Sequence, residues 1–193
     1  MSKDKKIVIL GAGYGGVAAA IQLNKKLRRN GNVSITLIDK KPYHTLMTEL
    51  HEVAGARVEM DSVQVRLSKV FAETKVKVVK DIIANIDFKK QVLSSETDKY
   101  QYDYLIIGSG AEPAFFGVEG VKENGFSIWS LPEALAIKAH IIEMFEKASI
   151  ERNSEKRRSL LTFVVAGAGF TGIETVGELA EWKVRLCEEH EIN

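Results

Sequence analysis

Short apolar runs alternate with stretches of helical periodicity along the first hundred residues. Ile7–Leu10 and Tyr104–Ile107 are continuous apolar runs, typical of strands that are buried on both faces, and SITLID at 34–39 and the run 76–79 predict two more strands. Apolar positions at helical spacing predict a helix from Tyr14 to about Arg29. Residues 82–95 alternate apolar and polar side chains, which indicates an antiparallel hairpin or meander.

The second half of the chain is predicted to be mainly helical. Residues 111–129 form a connecting segment, and Ser130 opens a long amphipathic helix. The charged run ERNSEKRRS at 151–159 is expected to be a surface loop, and LLTFVV at 160–165 a buried strand before a last helix that ends near His190. Together the elements predict an α/β protein. A Rossmann-like domain with a parallel sheet and a meander would span 1–115, a connecting segment and helix 116–159, and the incomplete start of a second Rossmann-like domain 160–193.

Composition and charge exclude several classes of function. The chain has 193 residues, of which 45% are hydrophobic and 27% charged, as in ordinary globular domains. A net charge of +1 offers no electrostatic basis for a nucleic-acid partner. The most apolar windows, 8–21 and 160–170, are shorter than the ~20 residues of a membrane-spanning helix. The basic start lacks a cleavage-like site, so no signal peptide is predicted, and the lone Cys187 favours a reducing compartment.

The turn after the first strand has the spacing of a dinucleotide-binding loop. Gly11, Gly13 and Gly16 complete G-x-G-x-x-G between a strand and a helix. The glycines permit a tight turn, a close approach of the backbone to a pyrophosphate, and close packing of the helix on the strand. Asp39 ends the second strand 23 positions after Gly16, where a carboxylate can bind a ribose hydroxyl. These residues predict a dinucleotide site without deciding between FAD and NAD; a plain strand-to-helix turn is the alternative.

The same spacing returns late in the chain. Gly167, Gly169 and Gly172 repeat the motif ahead of a helix, 156 positions after the first turn. This distance predicts a second nucleotide site rather than a continuation of the first unit. An explanation without nucleotides would need two unrelated turns of the same spacing.

Four motifs, spread over nearly the whole chain, carry a family resemblance. They are VILGAGYGG at 8–16, YHTLMTELHEVAG at 43–55, YDYLIIGSGAEPAFFGVEG at 102–120 and VVAGAGFTGIETVGELA at 164–180. Together they resemble the type II NADH dehydrogenases, single-subunit NADH:quinone oxidoreductases among the FAD-dependent pyridine nucleotide-disulfide oxidoreductases with two dinucleotide-binding domains. The second and fourth motifs are the most specific.

The resemblance implies a role for each set of residues. The ADP half of FAD would be held by Gly11, Gly13, Tyr14, Gly15, Gly16, Asp39 and Lys40. Thr48 and Glu49 would lie beside the isoalloxazine, and the FAD would also be approached by Gly108, Ser109 and Gly110. The NADH pyrophosphate would be received by Gly167, Gly169, Phe170, Thr171 and Gly172. Glu174 would be the catalytic residue, tuning charge or handling a proton where nicotinamide meets flavin. The alternative is that Thr48 and Glu49 are simply polar residues on a short helix, and that Glu174 is an acid that stabilises a helix N-terminus.

The implied activity is hydride transfer from NADH to FAD and electron transfer to a quinone. The resemblance places it in a respiratory chain, in the cytoplasm at the inner face of the cell membrane as a peripheral protein, and leaves a homodimer open. Alternatives are a soluble NAD(P)H oxidase or ferredoxin-type reductase, and a non-catalytic dinucleotide-binding module that senses redox state. Against that family the chain is expected to be an N-terminal portion, with the quinone pocket and membrane-resting helices in a later part. By itself it should bind FAD weakly and lack quinone reduction.

Rival redox and metal chemistries lack their residues. Flavin disulfide reductases and single-cysteine peroxidases need cysteine after the second strand, and residues 42–50 contain none. Sulfide:quinone oxidoreductase also works through cysteines, and Cys187 in the last helix is badly placed for that role. His51–Glu52 begins H-E-x-x-H, but Gly55 stands where the second histidine must be, so no metal site is predicted.

Overall fold

A computed structural model of the chain describes residues 4–192. The first three residues of the basic start lie outside the described residues. The strands are β1 (Lys5–Leu10), β2 (Val33–Asp39), β3 (Tyr43–Thr45), β4 (Gln64–Arg66), β5 (Val76–Lys80), β6 (Asn85–Asp87), β7 (Val92–Ser94), β8 (Lys99–Gln101) and β9 (Tyr104–Ile107). The helices are α1 (Tyr14–Leu27), α2 (Leu50–Ala54), α3 (Leu67–Val70), α4 (Val121–Asn124), α5 (Leu131–Ile150), α6 (Ser154–Leu160) and α7 (Phe170–Glu189), and 3-10 turns cover Met47–Glu49 and Met60–Val63.

Contacts divide the chain into two compact units. The first unit contains Met1–Thr45 and Gln64–Ala111, and the second contains Leu46–Val63 and Glu112–Asn193. The segment 46–63 therefore makes its contacts with the helical second half of the chain.

A parallel sheet forms the centre of the first unit. Its strand order is β5-β2-β1-β9, which is the third, second, first and fourth strand of a Rossmann sheet. All four strands were predicted from their apolar runs. Neighbouring registers align Val78, Leu37, Ile9 and Ile106 in one row across the sheet. The row faces α1 and α3, because Ile9 and Leu37 share a core with Ala20, Leu67 and Phe71.

The opposite face of the sheet packs on the antiparallel meander β6-β7-β8. Val8 and Ile38 are buried there with Leu93 of β7 and with Tyr102. Successive residues of β1 thus enter different cores, which is why the strand is apolar without alternation. The predicted meander is confirmed, and the two sheets give the predicted α/β class of fold.

The second unit is helical. Helix α5 buries Leu131 and Ala134 against α2, and it buries Ile141 and Phe145 against residues of α7 such as Trp182. Ser130 is the N-cap of α5, but its hydroxyl donates to the Glu133 carboxylate at 2.6 Å instead of capping a backbone N–H. No helix of the described chain combines the length and apolarity needed to cross a bilayer.

Two predictions for the segment before the last helix are wrong. The charged run 151–159 is not a loop, because α6 covers Ser154–Leu160 and the Asn153 side chain caps it by accepting the Lys156 N–H at 3.0 Å. Residues 162–168 form no strand, and Val164 is 86% exposed. The described part of the second unit contains no strand that could pair with them, and a single strand cannot satisfy its own backbone groups.

Candidate functional site

The first glycine turn joins β1 to α1 with a backbone that only glycine fits. Gly11 has φ +99°, and an added Cβ there would overlap the carbonyl oxygen of Gly108. A Cβ on Gly16 would overlap the carbonyl oxygen of Gly11. Gly13 is the N-cap of α1, and the Val17 N–H donates to its carbonyl at 3.0 Å. The first turn of α1 therefore points its N–H groups and positive dipole end out of the glycine turn.

Asp39 lies against this turn, although 27 positions separate it from Ala12. One carboxylate oxygen accepts the Ala12 N–H at 2.6 Å, and the other accepts the Lys41 N–H at 2.8 Å. The strand-end carboxylate thus fixes the glycine turn and keeps further lone pairs for a ligand hydroxyl. Lys40, which follows it, is exposed.

The turn after β9 lies beside the turn after β1. Parallel pairing of the two strands brings their carboxyl ends together, and the Gly108 N–H donates to the Leu10 carbonyl at 2.7 Å. Ser109 and Gly110 follow in exposed positions, and Gly110 has φ +86°. The chain order reverses between these two strands, so this is the switch point at which open α/β sheets bind ligands. The first unit brings its predicted glycines and Asp39 together at that point.

Sequence reasoning missed His44 at this site. Its buried ring places Nδ1 2.9 Å from the Ala12 carbonyl oxygen and packs edge-on against the Tyr14 ring, with centroids 4.7 Å apart. His44 thus supports the glycine turn from β3. No motif indicates this role, because 32 positions separate His44 from Ala12.

The second glycine turn repeats the backbone of the first. Gly167 has φ +112°, Gly169 is the N-cap of α7, and a Cβ on Gly172 would overlap the Gly167 carbonyl oxygen. The two N-cap glycines agree closely, with φ −70° and ψ −174° at Gly13 and φ −74° and ψ 177° at Gly169. Phe170 and Thr171 follow in exposed positions. The predicted recurrence of the turn is confirmed in its geometry.

Glu174 on α7 meets the segment that carries Thr48 and Glu49. Its carboxylate lies 3.6 Å from Nδ1 of the buried His51, an ion-pair distance too long for a hydrogen bond. His51, Glu49 and Glu52 present polar atoms within 4.8 Å of one another. The Thr48 hydroxyl donates to Glu49 at 3.0 Å. The second unit therefore brings the predicted polar residues of 48–49 and Glu174 to one region around His51.

A stripe of glutamates on α7 continues this contact. Glu174, Glu178 and Glu181 have i, i+4, i+7 spacing, which places them on one helix face. Arg57 contacts the last two: its Nε donates to Glu178 at 2.9 Å and its Nη2 to Glu181 at 3.0 Å. The hydrogen bond to Glu178 and the charge of that carboxylate raise the pKa of Arg57 above its ordinary value. The spacing of the glutamates could have revealed this stripe from the sequence, but it could not have identified Arg57 as its partner.

The sequence matches known proteins along its whole length. The model of the pyridine nucleotide-disulphide oxidoreductase family matches residues 5–190. The type II NADH:quinone oxidoreductase of Staphylococcus haemolyticus is 34% identical over 194 residues, an alignment that covers 100% of this chain and 48% of that protein. The chain spans about half the length of the curated relatives it matches.

Solved structures share the fold. The NDH2 of Plasmodium falciparum, solved in complex with NADH, matches 98% of this chain and 39% of its own, with a TM-score of 0.82 at 22% identity. The sulfide:quinone oxidoreductase of Aquifex aeolicus matches 98% of this chain and 50% of its own, with a TM-score of 0.65 at 22% identity. With its Rossmann sheet, its paired glycine turns and the family match over residues 5–190, the chain belongs to the pyridine nucleotide-disulphide oxidoreductase family.

Proposed function

We propose that this chain carries the FAD-binding and NADH-binding residues of a type II NADH:quinone oxidoreductase. The observation that carries the proposal is the recurrence of one glycine turn with the same backbone geometry at 11–16 and 167–172. The family match and the relative from Staphylococcus haemolyticus, named for NADH and quinone, support the choice of reaction. FAD binding belongs to residues 1–115 and NADH binding to 160–193, joined by 116–159.

The first turn fits the ADP half of FAD. A Cβ added at Gly15 would meet no described atom within 4 Å, its chain neighbours and the backbone of α1 excepted. The space beside the N-terminus of α1 is therefore open in the described structure. A pyrophosphate in this space would accept hydrogen bonds from the backbone N–H groups and lie at the positive end of the helix dipole. Asp39 at the end of β2 would accept a ribose hydroxyl, and Ser109 and Gly110 border the same switch point.

The second turn fits the pyrophosphate of NADH in the same way. The places of a Cβ at Gly167 and Gly169 have no other described atom within 4 Å, neighbouring residues excepted. The exposed N-terminus of α7 would hold the phosphates, with Phe170 and Thr171 at its first turn. Glu174 lies one turn further along α7, and its side chain is 48% exposed.

Bound FAD supplies the redox chemistry, accepting a hydride from NADH and passing two electrons to a quinone. The protein residues hold and orient each cofactor and set the local charge. In this scheme Thr48 and Glu49 border the isoalloxazine, and Glu174 is the catalytic residue that adjusts charge or moves a proton at the nicotinamide. A respiratory role, attachment to the inner face of the membrane and a homodimer belong to the same proposal, and they rest on the motif resemblance to the type II NADH dehydrogenases alone.

An anaerobic absorbance experiment on the 193-residue chain tests the proposal. Purified chain is loaded with FAD, and the flavin band near ~450 nm is recorded before and after NADH. Gly16→Ala and Gly172→Ala form a matched pair, because each adds one Cβ against the carbonyl of the first glycine of its turn. Circular dichroism checks that both variants fold. A soluble benzoquinone is then compared with oxygen as the oxidant of the reduced flavin.

The two variants should fail at different steps. Gly16→Ala should lose FAD, whereas Gly172→Ala should keep FAD and lose its bleaching by NADH. Preferred reoxidation by the quinone supports the quinone reductase. Preferred reoxidation by oxygen is the result expected of this portion by itself, because quinone reduction is predicted to need the later part of the family. Flavin that is bound by the wild-type chain but never bleached by NADH would refute the proposed transfer and favour a non-catalytic binding module.

A further inference from the structure

Arg57 is the centre of a clamp between the end of α2 and helix α7 within the second unit. Its guanidinium donates to Glu178 at 2.9 Å and to Glu181 at 3.0 Å, so it bridges two successive turns of α7. Glu178 is only 8% exposed, whereas most paired carboxylates of the described chain lie at the surface. A fork with two donors fixes direction as well as distance, which a single charge does not.

The backbone beside Arg57 lies in close contact with α7. A Cβ on Gly55 would lie 2.5 Å from the Cβ of Glu178, so the chain at the end of α2 touches α7 without an intervening side chain. Arg185, further along α7, reaches the Ala56 carbonyl oxygen at 3.5 Å. The contact therefore holds both the distance and the rotation of α7 against residues 55–57.

One helical turn before Glu178 on the same face lies Glu174. A residue four positions away lies about 6 Å along the helix axis and nearly at the same angle. A helix moves as a rigid body, so a rotation or slide of α7 at Glu178 would be carried to Glu174. The 3.6 Å separation between Glu174 and His51 depends on that setting.

We propose that Arg57 is a positioning residue that acts through Glu178 to hold the carboxylate of Glu174 beside His51. The hydrogen bonds described for Arg57 go to Glu178 and Glu181 on α7, so we expect its effect to reach the site through that helix. This role rests on the proposed NADH-to-FAD transfer for its consequence in activity, but the placement of Glu174 can be tested without any cofactor.

The cofactor-free test uses the imidazole signals of the 193-residue chain in NMR spectra. His51→Gln assigns the His51 signal among the four histidines. Glu174→Gln then shows how that signal changes when its charged partner is removed. Arg57→Met, which keeps side-chain length and removes the fork, should move the His51 signal in the same sense and leave His44 unchanged. Lys147→Met is the matched control, because it breaks an exposed ion pair with Glu143 on α5 of the same unit.

The activity test measures the rate of flavin bleaching in the FAD-loaded chain at saturating NADH. Arg57→Met should slow bleaching by about tenfold, since small displacements of catalytic groups cost that much or more. Arg57→Lys, which retains the charge, should restore part of the rate. Arg57→Met added to Glu174→Gln should give no further loss, because both act on one carboxylate. Lys147→Met should bleach at the wild-type rate.

The two tests separate the failure of each proposal. A His51 signal that does not change in Arg57→Met overturns the positioning role, whatever the rate of flavin bleaching. A signal that responds, with rate losses that multiply in the double variant, also overturns it, since Arg57 then acts independently of Glu174. If the wild-type chain binds flavin that NADH does not bleach, the proposed oxidoreductase activity is refuted. The NMR result alone then decides whether Arg57 positions Glu174.

Discussion

Gly55 occupies a contact between α2 and α7 that has no room for a side chain. Its φ of −86° and ψ of 10° suit alanine, so Gly55→Ala introduces no backbone strain and the effect is purely steric. The added Cβ would lie 2.5 Å from the Cβ of Glu178 and 3.3 Å from the His51 carbonyl oxygen. Ordinary carbon contacts are ~3.5–4 Å, so the two elements must separate by about 1 Å.

The expected cost follows from this overlap. Forced overpacking costs about 1–3 kcal/mol, and alanine returns about 0.4–1 kcal/mol by restricting the unfolded chain. Gly55→Ala should therefore destabilise the second unit by about 1–2 kcal/mol. Gly177→Ala is the matched control: Gly177 lies inside α7 with no neighbour within 4 Å of an added Cβ, so alanine there should stabilise by about 0.5–1 kcal/mol.

Urea unfolding followed by tryptophan fluorescence reports on the second unit specifically. The two tryptophans of the chain, Trp129 and Trp182, both belong to that unit, and Trp182 is buried in its core. With a slope of about 1–3 kcal/mol per molar urea, the midpoints of the two variants should differ by about 1 M.

Equal midpoints for the two variants would refute the close approach of residue 55 to α7. A Gly55→Ala midpoint at or above that of the wild type would do the same. Either result would also remove the clamp argument for Arg57, because that argument needs α7 to lie against residues 55–57.

Three further predictions concern other parts of the chain. Asp39→Asn leaves either the Ala12 N–H of the first turn or the Lys41 N–H after β2 without its acceptor. FAD affinity should therefore fall about tenfold in a fluorescence titration, and unchanged affinity would count against the site. The hydrogen bond to Asp81 and, to a smaller extent, burial raise the pKa of Tyr100 to about 12. The neutral Tyr100 hydroxyl therefore stabilises the fold fully below pH 10, and this contribution is lost as the pH rises towards 12. Tyr100→Phe should abolish that alkaline loss in unfolding midpoints measured against pH, and because water screens the pair it should cost only about 1 kcal/mol at neutral pH. Asn153→Ala should lower the stability of the second unit by about 1 kcal/mol through loss of the α6 cap, and an unchanged fluorescence midpoint would contradict that cap.

Local patterns determined most of the first unit. Strands β1, β2, β5 and β9 follow from apolar runs, and the meander follows from alternation, because each pattern lies within a few adjacent residues. The glycine turns follow for the same reason. Equal glycine spacing at 11–16 and 167–172 produces similar backbone angles without reference to the rest of the chain.

The segment 151–168 shows where local patterns mislead. The run 151–159 has loop-like charge, yet the Asn153 cap, the acid at Glu155 and the basic residues Arg157 and Arg158 suit both ends of a short helix. The apolar residues of 160–165 have strand composition, but pairing requires a neighbouring strand. Without such a partner, Leu160 ends α6 and residues 162–168 form no strand despite their strand propensity.

The sequence by itself determined the Rossmann strands, the two glycine turns and the position of Asp39 at the end of the second strand, because short-range sterics and hydrophobicity suffice for each. Only the tertiary structure decided which distant side chains meet. His44 supports a turn 32 positions away, and Arg57 clamps Glu178 across 121 positions. Such contacts depend on how whole elements pack, and the spacing of residues along the chain carries no record of that packing.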